Sequence, residues 1–367
     1  MKKFVSVILS VSLIFSFAFA NTEANVSKFD TEKLDLFRQL IQDLYYKEVT
    51  DEQLYEAALK GMFQSLDRYS TYYNEEETAE FSTSVSGTYS GIGVKFEGYN
   101  NYMRIVKVFV NTPAYNAGML AGDYIIGVNG QSIEGWSSNK VASLIRGEAG
   151  TTVDLELLRN SSEVIKVTVE RANVQAESCD FEVLGENSDI GYIKIEEFNA
   201  STGAEISQYL HAMKVLGMNK VILDLRDNPG GYVDQAVLVA RNFVPKGVIT
   251  TLKYKDENRE TEHRSYLTEK YFKVVALVNG NSASSSEILV GALKDTESAV
   301  VVGTTTYGKG VFQNVYNLKD GGSIKITTGA YYTPNGTCID KIGIVPNVVV
   351  EDVNEQLPRA IEEVNKL

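Results

Sequence analysis

The chain has 367 residues, enough for two or three domains built around sizeable cores. Its 48 acidic side chains against 35 basic ones leave a net charge of −13, which argues against nucleic acid and anionic lipid as partners. With only two histidines, His211 and His263, and no pair at ligand spacing, no metal site is expected.

Residues 1–20 read as a targeting segment: Met1-Lys2-Lys3 is a short positive region, Phe4 to Phe17 is apolar, and Ala18-Phe19-Ala20 fits an A-x-A cleavage site. The expectation is export and cleavage near Ala20, giving a protein soluble in the cell envelope, on the periplasmic or extracellular face. Any membrane association would come through its substrates. In such a compartment Cys179 and Cys338 could close a long loop, but sequence carries no geometry, and two separate thiols are expected.

Residues 21–86 form a polar linker and an N-terminal helical region. Leu34, Phe37, Leu40, Ile41 and Leu44, then Leu54, Ala57, Ala58 and Met62, recur at three- or four-residue spacing, as in a helical hairpin that packs on something else. The nearby aromatics Tyr45, Tyr46, Tyr69, Tyr72 and Tyr73 are expected to fill core.

Residues 87–172 make a separable unit, mostly β with short helices. Gly91-Ile92-Gly93-Val94 leads a strand, and Pro113-Ala114-Tyr115-Asn116-Ala117-Gly118 is a short helical turn. Gly122 to Gly130 is a strand closed by an Asn-Gly turn. An amphipathic helix over 138–145 follows, carrying Val141, Leu144 and Ile145, then Arg146. This order resembles a PDZ domain of the bacterial type. The resemblance implies that the amides of Gly91, Ile92, Gly93 and Val94 capture a C-terminal carboxylate while the peptide adds as a strand, with Val141 and Leu144 lining apolar pockets. Arg146 would either touch the core and couple peptide capture to it, or stay solvated.

Residues 173–350 read as one α/β core, and 351–367 as a C-terminal segment expected to be helical. The buried strand Val221 to Leu225 runs into Arg226-Asp227-Asn228-Pro229-Gly230-Gly231, where backbone amides can approach a ligand because no side chain blocks them. Gly230 and Gly231 are therefore candidate oxyanion donors. A second apolar strand, Val274 to Val278, ends in Asn279-Gly280-Asn281-Ser282-Ala283-Ser284-Ser285-Ser286-Glu287, and a helical pattern starts at once. Ser284 sits where a helix N-terminus stabilises negative charge on oxygen, as a nucleophile would. Its plain alternative is a helix N-cap, the role expected of Ser282, Ser285 and Ser286. A third strand, 299–302, leads to Gly308-Lys309-Gly310; a lysine among glycine and apolar residues loses its proton readily and can serve as base to a serine.

The series of helical hairpin, PDZ unit, L-D-L-R-D-N-P-G-G, N-S-A-S-S-S-E and T-Y-G-K-G-x-x-Q resembles the C-terminal processing peptidases over nearly the whole chain after residue 20. The resemblance implies an α/β protease core of the sheet-and-helix, ClpP/crotonase kind, with Ser284 as nucleophile, Lys309 as base and Gln313 orienting the lysine. Asp295 would hold a supporting role, and the Ser285 amide would join Gly230 or Gly231 in the oxyanion hole. No cofactor is implied, and the partners are proteins or peptides with free apolar C-termini; self-association stays open. Three departures stand out: Ser285 where alanine is usual, Arg68 for a proline, and Asn347 for an aspartate.

Rival readings are weaker. Gly303 to Gly310 matches a nucleotide-binding loop except that Gly310 replaces the magnesium-binding hydroxyl. His263 lies in a charged hairpin, and no G-x-S-x-G surrounds Ser284. A catalytically silent exported PDZ scaffold is the alternative of another class.

Overall fold

The computed structural model describes residues 30–185, 187 and 189–367; the expected targeting segment and its cleavage site lie outside them. The chain divides into two compact units, one ending at Leu59 and the other beginning at Lys60.

The first unit holds α1 (Thr31–Leu44) and most of α2 (Asp51–Gln64). Asp30 caps α1 by accepting the Lys33 amide at 3.0 Å, and Arg38 and Gln42 both reach Asp51 at the start of α2, at 2.7 and 2.9 Å. This is the expected helical hairpin. The apolar side chains of α1, among them Phe37, Leu40 and Leu44, are exposed, as are Tyr45 and Tyr46, so core filling describes Tyr72 but not those two.

The second unit opens with β1 (Thr71–Tyr73), α3 (Glu75–Ser86) and β2 (Thr88–Gly91). Asn74 and Glu77 form a reciprocal capping box at the start of α3, three glutamates in its first turn complement the helix dipole, and Gly87 ends it in the left-handed conformation, φ 69°.

The expected PDZ unit contributes β3 (Val94–Tyr99), β4 (Tyr102–Val108), α4 (Pro113–Asn116), β5 (Tyr124–Val128), β6 (Gln131–Ser132), α5 (Ser138–Ile145), β7 (Thr152–Arg159) and β8 (Glu163–Glu170). Its sheet runs β3-β4-β5-β7-β8 with β6 on β5, around a core that includes Ile105, Ile125, Ile133, Val141, Leu155 and Leu157. Chain then returns through β9 (Ala172–Gln175), which pairs antiparallel with β2, so the strands entering and leaving the unit form one ribbon.

The remaining elements are β10 (Cys179–Leu184), β11 (Ile190–Ile195), α6 (Thr202–Val215), β12 (Lys220–Asp224), α7 (Val233–Ala240), β13 (Gly247–Tyr254), β14 (Glu260–Ser265), β15 (Lys273–Val278), α8 (Ser285–Asp295), β16 (Val300–Gly303), β17 (Val311–Asn317), β18 (Ser323–Tyr332), β19 (Val348–Val349) and α9 (Val353–Lys366). A six-stranded sheet has the order β10-β11-β12-β15-β16-β19 and is parallel except for β10. Strands buried on both faces read as continuous apolar runs, which is why Val221 to Leu225 and Val274 to Val278 stand out in the sequence. Residues of α6, α7 and α8 pack on one face with Ile193, Leu223 and Ala276. Ala360 and Val364 of α9 pack on the other with Ile222, Val275 and Leu277.

A second sheet, β1-β18-β13-β14 with β17 on β18, draws β1 from before the PDZ unit, pairing Thr71 with Lys325. Cys179 and Cys338 are both free thiols, the first buried and the second half-buried. No described helix is long and apolar enough to cross a membrane.

Candidate active site

Three loops meet at the carboxyl ends of the parallel strands, where open α/β sheets bind ligands. They follow β12, β15 and β16 and carry the glycine pair, the serine cluster and the lysine respectively.

The serine turn is strained at one residue. Ser284 has φ 56° and ψ −114°, a conformation that costs a non-glycine residue about 1–3 kcal/mol. Ser284 stands at the N-cap position of α8 in a capping box with Glu287, whose carboxylate accepts the Ser284 amide at 2.9 Å, and among the described residues its hydroxyl donates to no acceptor. The other serines do not cap the helix. Ser282 donates to the Leu225 carbonyl at 2.7 Å, Ser286 to that of Asn228 at 3.0 Å, and Ser285 to that of Gly231 at 2.8 Å. All three hydroxyls stitch the turn to the loop after β12, and the unusual Ser285 is thereby engaged rather than reactive.

That loop is fixed from within. Buried Asn228 donates to the Ile195 carbonyl at 2.8 Å and accepts the Gly230 amide at 2.8 Å. The Gly230 N–H is thus committed, whereas among the described residues the amides of Gly231 and Ser285 meet no acceptor. Gly231 has φ 136°, and a Cβ there would stand 2.2 Å from the Phe198 carbonyl oxygen; one on Gly230 would press on the Ser284 side chain at 2.8 Å. Both glycines are required by close approach and by a left-handed φ.

Glu287, buried in α8, joins the serine turn to the lysine loop. Its Oε2 accepts the amides of Ser284 at 2.9 Å and Lys309 at 3.0 Å; its Oε1 accepts the Thr306 hydroxyl at 2.6 Å and the Gly308 amide at 2.7 Å. Burial raises its pKa, and these four donors oppose the shift. The buried Tyr331 hydroxyl lies between the carbonyl oxygens of Ser284, at 3.1 Å, and Lys309, and donates to them. These partners also close the nucleotide-loop alternative, because the Gly308 and Lys309 amides that would cradle phosphate are bound to a carboxylate.

The Lys309 amine is half-buried, 4.7 Å from the centre of the Tyr69 ring, and among the described residues it has no hydrogen bond or ion pair. Burial lowers its pKa; the Lys325 charge adds to the lowering, and Glu287 and Asp67 act against it. Ser284 and Lys309 are therefore brought together through their backbones, with no hydrogen bond between their side chains. Gln313 in β17 donates to the Thr327 hydroxyl at 3.0 Å and, among the described residues, makes no hydrogen bond to the lysine. Asp295 stands at the far end of α8, about 15 Å of helix from Ser284, and accepts the Asn335 amide at 3.0 Å. It anchors that loop and is set apart from the reacting groups. Asn347, the third departure, pins β16 by accepting the Val301 amide at 2.9 Å. His263 sits in β14, the edge strand of the second sheet, outside these three loops.

The peptide groove is a cavity of about 420 Å³ that includes Gly91, Ile92, Gly93 and Val94 on its wall. Among the described residues the Ile92 and Gly93 amides meet no acceptor. Gly93 has φ 87°, and a Cβ there would collide with Thr112 at 2.3 Å. The helix side of the groove is Ala142 and Ile145; Val141, expected to line it, lies in the unit's core with Ile145, and Leu144 packs beside that core. Arg146 lies on the groove with its guanidinium 5.5 Å from the Tyr89 ring, and the opposite wall, Glu196 and Glu197, belongs to the core.

Comparison with known proteins agrees along the chain. Residues 189–350 match Peptidase family S41, residues 104–159 match the PDZ domain, and residues 16–78 match the activating protease CtpB N-terminal domain. The carboxy-terminal processing protease CtpA of Bacillus subtilis is 36% identical over 89% of this chain and 69% of its own length. The carboxy-terminal-processing protease of Bartonella bacilliformis is 34% identical over 90% of this chain and 77% of its own. Among solved structures, a photosystem II D1 C-terminal processing protease superposes with a TM-score of 0.51 at 27% identity, covering 90% of both chains. An S41 protease from Bacteroides fragilis gives 0.56 at 18% identity over 90% of this chain and 92% of its own, which speaks for the fold alone.

A sheet-and-helix core of this kind, with a PDZ domain and an N-terminal helical hairpin, defines a serine-type peptidase. The chain belongs to the carboxy-terminal processing proteases of peptidase family S41.

Proposed function

We propose that this protein is an exported endopeptidase that takes protein substrates by an apolar C-terminal tail and cleaves them with a Ser284/Lys309 dyad. The observation that carries the reading is the single Glu287 oxygen binding both the Ser284 and Lys309 amides, beside a strained serine whose hydroxyl donates to no acceptor among the described residues. Residues 87–172 would act as the PDZ unit and 173–350 as the protease core.

The tail carboxylate binds the free amides of the Gly91–Val94 loop, and the peptide extends along β3 against Ile92, Val94, Ala142 and Ile145. Upstream, the neutral Lys309 amine takes the Ser284 proton as the oxygen attacks a peptide carbonyl. The oxyanion forms against the amides of Ser285 and Gly231, the two left free, rather than that of Gly230. Lys309 then returns the proton to the leaving amine; water, deprotonated by the same amine, attacks the acyl-enzyme, and the lysine passes that proton to the Ser284 oxygen as the C–O bond breaks. Gln313, held on Thr327 through its amide nitrogen, makes no hydrogen bond to the lysine in this structure and would orient it only after the amine turns toward Oε1.

Cleavage of a peptide with an apolar C-terminus, with its binding followed separately, tests this. Ser284→Ala and Lys309→Ala should each abolish cleavage and leave binding intact. Cleavage that survives in both variants would refute the dyad, and an inactive wild type that binds would favour the scaffold alternative. The targeting segment is tested by the N-terminus of the protein recovered from the envelope, expected just after Ala20.

A further inference from the structure

The turn Asp67-Arg68-Tyr69-Ser70 belongs to none of the three loops, yet it delivers an aromatic ring to the lysine amine. The turn is rigid. Asp67 accepts the amides of Tyr69 and Ser70 at 2.7 and 2.8 Å, and the buried Ser70 hydroxyl accepts the Thr327 amide at 3.0 Å, docking the turn on β18 beside Gln313. Tyr69 thereby presents its ring 4.7 Å from Lys309 Nζ. Arg68, the residue that departs from the family pattern, braces the ring. Its guanidinium is 5.0 Å from the Tyr69 ring centre, donates to the Tyr69 hydroxyl at 2.8 Å, and reaches to 5.2 Å from the ring of Tyr307, two residues before the lysine.

An aromatic face is a fitting support for a general base. It holds the ammonium form only weakly through its π face, far less than a carboxylate would, and it covers one side of the amine with an apolar surface that disfavours charge. We propose that Tyr69 is a positioning residue of the peptidase reaction, its ring serving as the platform that holds the Lys309 amine in the site, and that Arg68 braces that ring. This rests on Lys309 being the base. The charged groups facing the amine are Lys325 from β18, Arg68 and Asp67 from the turn, and Glu287 from α8; the two cations favour the neutral amine and the two anions oppose it.

The experiment is kcat and KM across pH for the full chain on a quenched fluorogenic peptide with an apolar C-terminus. Tyr69→Leu should lower kcat about tenfold or more at unchanged KM, whereas Tyr69→Phe, which keeps the ring, should retain most of it. Arg68→Gln, which removes the contact with the ring, should lower kcat in the same direction as Tyr69→Leu and move the rising limb of kcat/KM to higher pH, whereas Arg68→Lys should leave the limb in place. That limb is a readout that does not depend on Tyr69→Leu folding. Wild-type kcat in Tyr69→Leu, or equal loss in Tyr69→Phe, overturns the platform; wild-type kcat in Arg68→Gln overturns the brace. An active Lys309→Ala chain would instead remove the base reading itself, an outcome separate from either.

Discussion

Glu287 holds the amide of Ser284 at 2.9 Å from one helical turn further along the chain. Because the same oxygen takes the Lys309 amide, the loops after β15 and β16 share one anchor, and neither reactive residue can shift without the other. A carboxylate suits this place because it only accepts, and four donors converge on it.

Replacing Glu287 by glutamine should therefore be severe despite the equal size. Whichever way the amide is turned, its NH2 faces two donors where an acceptor stood. The expected outcome is a loss of about hundredfold or more in kcat and roughly 2–4 kcal/mol of stability. Steady-state kinetics with a urea melt would check it; a near-wild-type Glu287→Gln would show that the anchor is dispensable.

The rate should rise with pH through the depressed Lys309 pKa, since only the neutral amine accepts a proton, and should level off above it. After burial, Lys325 is the leading cause of that depression. Lys325→Met should thus raise the lysine pKa and carry the rising limb to higher pH. A limb that stays put or moves to lower pH in this variant would contradict the assignment.

Arg171 is a buried guanidinium that donates to the carbonyls of Ile145, Leu144 and Thr152 and to the Thr151 hydroxyl, at 2.8–2.9 Å. It satisfies the end of α5 just where that helix forms the groove. Arg171→Met should leave those carbonyls unpaired, cost about 2–4 kcal/mol, and weaken peptide binding. Thermal melting and fluorescence anisotropy with a labelled tail peptide would show it; unchanged affinity would detach the helix end from the groove.

The sequence by itself determined the elements and the chemistry they carry. Buried parallel strands announce themselves as apolar runs, and a serine-rich turn, a glycine pair and a glycine-flanked lysine each follow one of them. It also marked the N-terminal hairpin and the PDZ order, because helical spacing and Asn-Gly or Pro turns are local signals. Tertiary structure alone decided which partner each group meets. That the Gly230 amide is spent on Asn228, that Ser285 binds the Gly231 carbonyl, and that Asp295 lies a helix length from Ser284 depend on contacts between residues distant in sequence. Glu287 was written in the serine motif, but as one more polar helix residue. Its role emerges only when the loop after β16 folds over it, since hydrogen-bond geometry is a property of space and not of spacing. Tyr69 shows the same limit: 240 positions before the lysine, its aromatic character suggested core, and only the docking of its turn on β18 places it against the amine.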